Sequence, residues 1–212
     1  EFWMLEPEVA FYDHDLNIEL QENLVAYIVE QVLLHCKKEL ESLGRDLSKL
    51  EKVKPPFYRI TYDKAIEMLH ELGSSTPYGD DFGNEDETIL TQQFDKPIFV
   101  ECYPKKVKAF YMKEHPENPD LVLCDDLLAP EGYGEIIGGS QREDDMERLI
   151  ARIKEEGLNE ESYDWYLDLR KFGTFVHSGF GMGIERVIAW ICGLEHIREA
   201  SPWPRTIYRI KP

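Results

Sequence analysis

The chain has 212 residues, 42% of them hydrophobic, which suits one domain with a sizeable buried core and excludes disorder as the default reading. Its 24 basic residues face 42 acidic ones, a formal net charge of −18 that repels phosphate backbones and excludes broad nonspecific nucleic-acid binding, though not a local basic site. No run approaches about 18 uncharged apolar residues, so no membrane span is expected.

In chain order, Phe2 to Phe11 reads as a strand with Glu6 and Glu8 on one face. Pro7 between them marks a strand edge or bulge. The apolar spacing from Asn17 to Leu43 predicts a helix stopped by Gly44. Lys52 to Arg59, with Pro55-Pro56, reads as a connector. Thr61 is a suitable N-cap for a helix ended by Gly73. Residues 74–88 form an acidic loop, solvated on the plain reading and a lid or substrate loop on the alternative. A short helix follows near Glu87 to Phe94, and then strands at Ile98–Cys102, Val107–Met112, Leu121–Leu128 and Gly134–Ile137. Helices are expected near Asp144–Glu156 and Glu160–Lys171, then a strand at Gly179–Met182 and a helix at Ile184–Cys192. Clustered strands with helices inserted between them indicate an α+β fold.

The four cysteines (Cys36, Cys102, Cys124, Cys192) are widely spaced, without a CxxC. A zinc site or a disulfide scaffold is therefore not expected, and a reducing cytoplasm is the simplest setting. The opening Glu1-Phe2-Trp3-Met4-Leu5-Glu6 is neither a signal nor a transit peptide. Without an initiator Met, and with strand pattern from Phe2 onward, it reads as a chain cut into.

Two stretches carry chemistry. In Gly179-Phe180-Gly181-Met182-Gly183-Ile184-Glu185-Arg186, alternating glycines allow close backbone approach, and an Arg sits in the first turn of an apolar helix. Helix N-termini and guanidinium groups both favour phosphate. The stretch is not a P-loop, and taken alone it fits glycine packing and nucleotide binding equally. The second stretch, Asp125 to Arg142, sets acidic residues in or beside apolar strands across a turn. Antiparallel pairing would put Asp126 beside Glu135, either as a Mg²⁺ site or as surface acids on a hairpin.

The stretch at 179–190, with its closing Pro204-Arg205, resembles motif 3 of class II aminoacyl-tRNA synthetases. The opening resembles the second strand of motif 2, and the 125–142 hairpin is similar to that of the aspartyl/asparaginyl subgroup. Glu1 to Glu8, Lys108-Ala109-Phe110-Tyr111-Met112, Ala129 to Arg142 and Tyr166-Leu167-Asp168-Leu169-Arg170 resemble the asparaginyl members in particular.

The resemblance spans essentially the whole chain and implies an antiparallel sheet flanked by helices. It implies that residues 1–212 are the C-terminal part of the catalytic domain. Motif 1, the first half of motif 2 and the anticodon-binding OB-fold would be lacking, and this piece alone would be inactive. The implied activity is ATP-dependent activation of asparagine and transfer to tRNA(Asn), by a cytoplasmic homodimer that uses Mg²⁺. Rival readings are a paralogue that makes asparagine from aspartate and a synthetase-like piece without catalysis.

By the same resemblance, Phe2 would stack on adenine, and Arg186 would hold the γ-phosphate. Gly138, Gly183, Ile184 and Glu185 would also lie at ATP. Asp126 and Glu135 would hold Mg²⁺, with Glu135 and Arg186 as the catalytic groups. Arg142 would bind the substrate's side-chain oxygen. Glu6, which is Asp in the aspartate relatives, would favour a carboxamide over a carboxylate. Val176 stands where a Pro before His177 is usual, and His177 is assigned no catalysis. The basic tail, from Arg198 through Arg205 and Arg209 to Lys211, reads as solvated charge or as a neighbour of the tRNA acceptor end.

Overall fold

The computed structural model describes residues 1–211. Among these residues seven strands form one sheet: β1 (Met4–Leu5), β2 (Glu8–Ala10), β3 (Tyr58–Thr61), β4 (Ile98–Glu101), β5 (Cys124–Ala129), β6 (Gly134–Gln141) and β7 (His177–Gly183). Their order across the sheet is β1-β7-β6-β5-β4-β3, with β2 also paired to β7. Every pairing is antiparallel except β3 with β4, which is parallel. The expected α+β architecture holds, with one parallel strand added at the far edge.

Among the described residues eight α-helices pack around the sheet: α1 (His14–His35), α2 (Lys37–Ser42), α3 (Leu47–Leu50), α4 (Tyr62–Glu71), α5 (Asn84–Thr91), α6 (Met146–Glu155), α7 (Asp164–Lys171) and α8 (Ile184–Cys192). Among the described residues no helix is long and apolar enough to cross a membrane. Thr61 caps α4 by accepting the Lys64 amide at 3.2 Å. Asp145 caps α6 by accepting the Glu147 and Arg148 amides.

Four expectations are corrected. The strand Phe2–Phe11 is two short strands separated at Glu6-Pro7, because Pro7 has no amide for the ladder. The helix read over Asn17–Leu43 breaks at Cys36. The connector Lys52–Arg59 ends inside β3. Val107–Met112 is not a strand: a 3₁₀ turn at Lys105–Val107 leads into a loop whose Lys105 and Lys108 carbonyls accept from Arg152 at 3.0 and 3.1 Å.

All four residues of β4 are buried, because both faces of this strand are covered. Phe99 joins a core with Val25, Leu127 and Trp190 on the α1 and α8 side. Ile98 and Val100 join a second core with Tyr62, Leu69 and Leu90 under α4 and α5. A smaller cluster, Leu149, Ile153 and Leu167, joins α6 to α7.

The start of α1 is polar where it meets the sheet. His14, Asn17 and Gln21 are buried, opposite the buried Asp125 and Glu101. The Asn17 amide donates to the Gly179 carbonyl at 3.2 Å, and the His14 amide donates to Gln141 Oε1 at 3.1 Å. Burial pushes the Asp125 carboxyl up to about 6, against the opposing pull of His14.

Candidate active site

Strand alternation sends Asp125 to the α1 side and Asp126 to the opposite face of the sheet. The β5–β6 register shifts between Leu127 and Leu128, so Asp126 lies across from Gly138, and Glu135 lies across from Leu128. The direct pairing of Asp126 with Glu135 expected from the sequence is therefore corrected. The bulge re-aims Glu135, and the two carboxylates meet over Gly138 instead. A Cβ built on Gly138 would lie 2.9 Å from Glu135 Oε1 and 3.6 Å from Asp126 Oδ1.

The charges there are unequally compensated. Asp126 accepts from Lys108 Nζ at 2.8 Å, and the same ammonium lies 3.2 Å from Asp81. Lys108 also stands 3.9 Å over the Tyr103 ring. Burial opposes its charge, but Asp126 and Asp81 outweigh that and raise its pKa. Glu135 has no ion-pair partner among the described residues. Burial first, then Asp126 and Glu87, push it up to about 7.

The backbone of Glu135 is held on both sides. Its amide donates to Glu87 Oε2 at 2.9 Å, and its carbonyl accepts from Arg186 Nη1 at 2.7 Å. Arg186 makes no ion pair among the described residues, so the plain reading as a helix-surface ion pair does not hold. Among the described residues no group of three or more His, Cys, Asp or Glu side chains could hold a metal ion. Two carboxylates with surplus negative charge do suit a hard dication whose remaining ligands come from phosphate and water.

A cavity of about 600 Å³ opens beside Glu135 and Gly138. It is lined by Glu6, Glu8, Tyr111, Glu135, Gly138 and Arg142, with an aromatic wall from Phe110 and α7. Arg142 is largely covered; it forks onto Glu8, reaches Ser140 Oγ at 2.6 Å and lies 5.0 Å over Tyr111. Glu6 has neither a hydrogen bond nor an ion pair to its carboxylate among the described residues. A second cavity of about 340 Å³ shares Met4, Glu135 and Gly181 and adds Phe2, Gly183, Glu185 and Arg186. Phe2 is 70% exposed, so ordinary core packing does not account for it.

Two of the expected nucleotide residues are engaged elsewhere. The Ile184 amide donates to the Trp3 carbonyl at 3.0 Å, and its side chain packs on the core. The Glu185 carboxylate accepts the Trp3 amide at 2.9 Å, although the residue also lines the second cavity. Together they clasp the first strand to the start of α8. His177 Nδ1 lies 2.8 Å from the Phe175 carbonyl, as suits a structural residue. In the tail, Arg205 pairs with Glu1 at 3.0 Å.

Glu87 and Lys108 carry no functional mark in the sequence. Glu87 sits in an acidic first helical turn, and Lys108 in a loop, so neither carried a spacing signal. The Glu8–Arg142 pair was foreshadowed only by Glu8 sharing a strand face with Glu6.

This mixed sheet, with its glycine-rich last strand entering a helix beside paired carboxylates, has the class II synthetase architecture. Residues 1–207 match the family model for tRNA synthetases class II (D, K and N), and the chain belongs to that family. It is 59% identical over its whole length to an asparagine–tRNA ligase of Symbiobacterium thermophilum and 57% identical to one of Chloroflexus aurantiacus. Each alignment covers 50% of the relative, so the chain spans about half the length of the curated relatives it matches. Among solved structures, asparaginyl-tRNA synthetase from Pyrococcus horikoshii complexed with asparaginyl-adenylate superposes with a TM-score of 0.97 at 52% identity. That match covers all of this chain and 49% of the other. An aspartyl tRNA synthetase from Entamoeba histolytica superposes with a TM-score of 0.88 at 26% identity, covering 44% of that protein.

Proposed function

We propose that the chain is the C-terminal part of a class II catalytic domain that activates asparagine with ATP and transfers it to tRNA(Asn). The observation that carries this reading is the unengaged Glu6 carboxylate, in one cavity with Arg142, Glu135 and Gly138, over which Asp126 also reaches. Relatives and solved structures of this similarity are named for asparagine and its adenylate.

In this reading the asparagine side chain lies between Glu6 and Arg142. Glu6 accepts from the carboxamide NH₂, and Arg142 donates to its oxygen. An aspartate carboxylate would meet Glu6 as a like charge. Phe2 offers an exposed ring for adenine, and Arg186, free of any carboxylate partner among the described residues, faces the phosphates. The substrate carboxylate oxygen attacks the α-phosphorus of ATP. The bond from that phosphorus to the bridging oxygen breaks, and its electron pair leaves with pyrophosphate. Asp126 and Glu135 would hold Mg²⁺, which supplies positive charge to the phosphate oxygens. Gly138, with no Cβ, leaves room between the two carboxylates. The same reading makes the enzyme a cytoplasmic homodimer.

The test is pyrophosphate exchange by the intact natural protein, with asparagine and aspartate compared. Exchange that depends on asparagine is expected. Exchange driven preferentially by aspartate would instead support the asparagine-making paralogue.

A further inference from the structure

Behind Glu135 lies a further carboxylate whose position the mechanism above does not use. Glu87 lies in the first turn of α5, half-buried, and burial pushes its carboxyl up. Its Oε2 accepts the Glu135 amide at 2.9 Å. One residue further on, Thr88 Oγ1 donates to the Gly132 carbonyl at 3.3 Å, so the start of α5 grips both sides of the β5–β6 turn. Gly134 has φ of +72° and packs directly on the Glu87 side chain, leaving no space for a Cβ. The grip therefore reaches the backbone at the residue where the bulged turn delivers Glu135 to the cavity.

We propose that Glu87 is a positioning residue: its hydrogen bond to the Glu135 amide fixes the Glu135 carboxylate where it receives the cation that accompanies ATP. This rests on the reading of Asp126 and Glu135 as the cation's ligands. Glu87 itself touches neither substrate nor metal. It acts through the backbone, opposite Arg186, which holds the Glu135 carbonyl. An acceptor atom is what the role requires, so a carboxamide at this position serves nearly as well as a carboxylate.

The experiment is calorimetric titration of the intact natural protein with ATP, once with Mg²⁺ and once with EDTA. Residues that orient a metal ligand typically govern about 10- to 100-fold in metal affinity, so Glu87→Ala is expected to weaken Mg²⁺-dependent ATP binding by about tenfold or more. Metal-free ATP binding and the thermal midpoint should stay near the parent's, and Glu87→Gln should recover most of the loss. The proposal is overturned if Glu87→Ala binds ATP with Mg²⁺ as the parent does. It is also overturned if Glu87→Ala loses metal-free binding to the same extent, since the role is then structural, or if Glu87→Gln fails as badly as Glu87→Ala, since charge is then the cause. A parent that binds no ATP in either condition refutes the underlying reading as well, which separates the two failures.

Discussion

Gly138 and Gly139 are neighbours on β6 that face opposite sides of the sheet, and adding one methyl group to each should have different consequences. On Gly138 the new Cβ would sit 2.9 Å from Glu135 Oε1 and 3.6 Å from Asp126 Oδ1. The first contact is the tip of a side chain that lines the cavity and can swing aside, and the second is ordinary van der Waals contact, so the folding cost should stay below about 1 kcal/mol. The displaced carboxylate, Glu135, is one of the two assigned to Mg²⁺, and moving it should weaken Mg²⁺-dependent ATP binding by about 10- to 100-fold. On Gly139 the Cβ would meet Gln21 Nε2 at 2.6 Å, Asp125 Oδ2 at 2.9 Å and Asn17 Nδ2 at 3.1 Å. These three side chains are fully buried. Overpacking costs about 1–3 kcal/mol, and losing the Asn17 bond to the Gly179 carbonyl adds about 1 kcal/mol. At about 2–4 °C per kcal/mol for a chain of this size, Gly139→Ala should lower the thermal midpoint by roughly 10 °C. Far-UV circular dichroism melts and ATP titration of both variants decide the matter. A Gly138→Ala protein that melts below the Gly139→Ala protein, or that keeps the parent's Mg²⁺-dependent affinity, would refute the two-faced account.

Two further outcomes are expected. Glu6→Gln keeps a hydrogen-bonding group but removes the charge, so preference for asparagine over aspartate, read as a ratio of kcat/KM in pyrophosphate exchange, should shrink by about tenfold or more, whereas equal losses on both amino acids would remove Glu6 from selectivity. Glu135, whose folded-state carboxyl sits near 7 against an ordinary value of 4.5, must be ionised at a cost once pH exceeds 7; the cost builds from 4.5 upward and is absent below it. Glu135→Gln should therefore be more stable than the parent by about 2 kcal/mol at about pH 8, with the difference fading by about pH 5, and denaturant melts at the two pH values check the sign.

The parts of the fold legible in the sequence are those written in local chemistry. The Thr61 cap, the Gly73 stop and the glycine-rich strand leading into α8 stand where the spacing places them. Pro7, read as a strand edge or bulge, marks the place of the break but not its extent, since a missing amide goes further here and splits the strand in two. Strand β3 was hidden: it has four residues, follows two prolines and ends in the cap of the next helix, so too little of its alternation remained to be seen. The candidate site was legible as far as its residues share strands or turns, as Asp126, Glu135, Gly138 and Arg142 do. Its cross-links were not. Glu87 meets Glu135 across 48 residues of sequence, and Lys108 meets Asp126 across 18. An acid in a solvated helical turn and a lysine in a loop look the same in sequence whether or not a partner folds over them. The bulge between Leu127 and Leu128 was likewise invisible, because an extra residue in a strand leaves no compositional mark.

The polar start of α1 has a consequence for how the helix is seated. A helix that rests on a sheet through aliphatic side chains alone can slide by one turn at little cost, because leucine on valine is much the same at either position. Here His14 and Asn17 are tied to Gln141 and Gly179 on two adjacent strands, while Gln21 and Asn17 close over Gly139. A slip of one turn would pull Asn17 off the Gly179 carbonyl and His14 off Gln141, at about 1–3 kcal/mol for each buried polar group left unpaired. The helix is thereby keyed to one seat. Asp125, which shares that seat, is the chain neighbour of Asp126, so the tooth that locks α1 in place also sets the height at which the Asp126 carboxylate emerges over Gly138 on the other face.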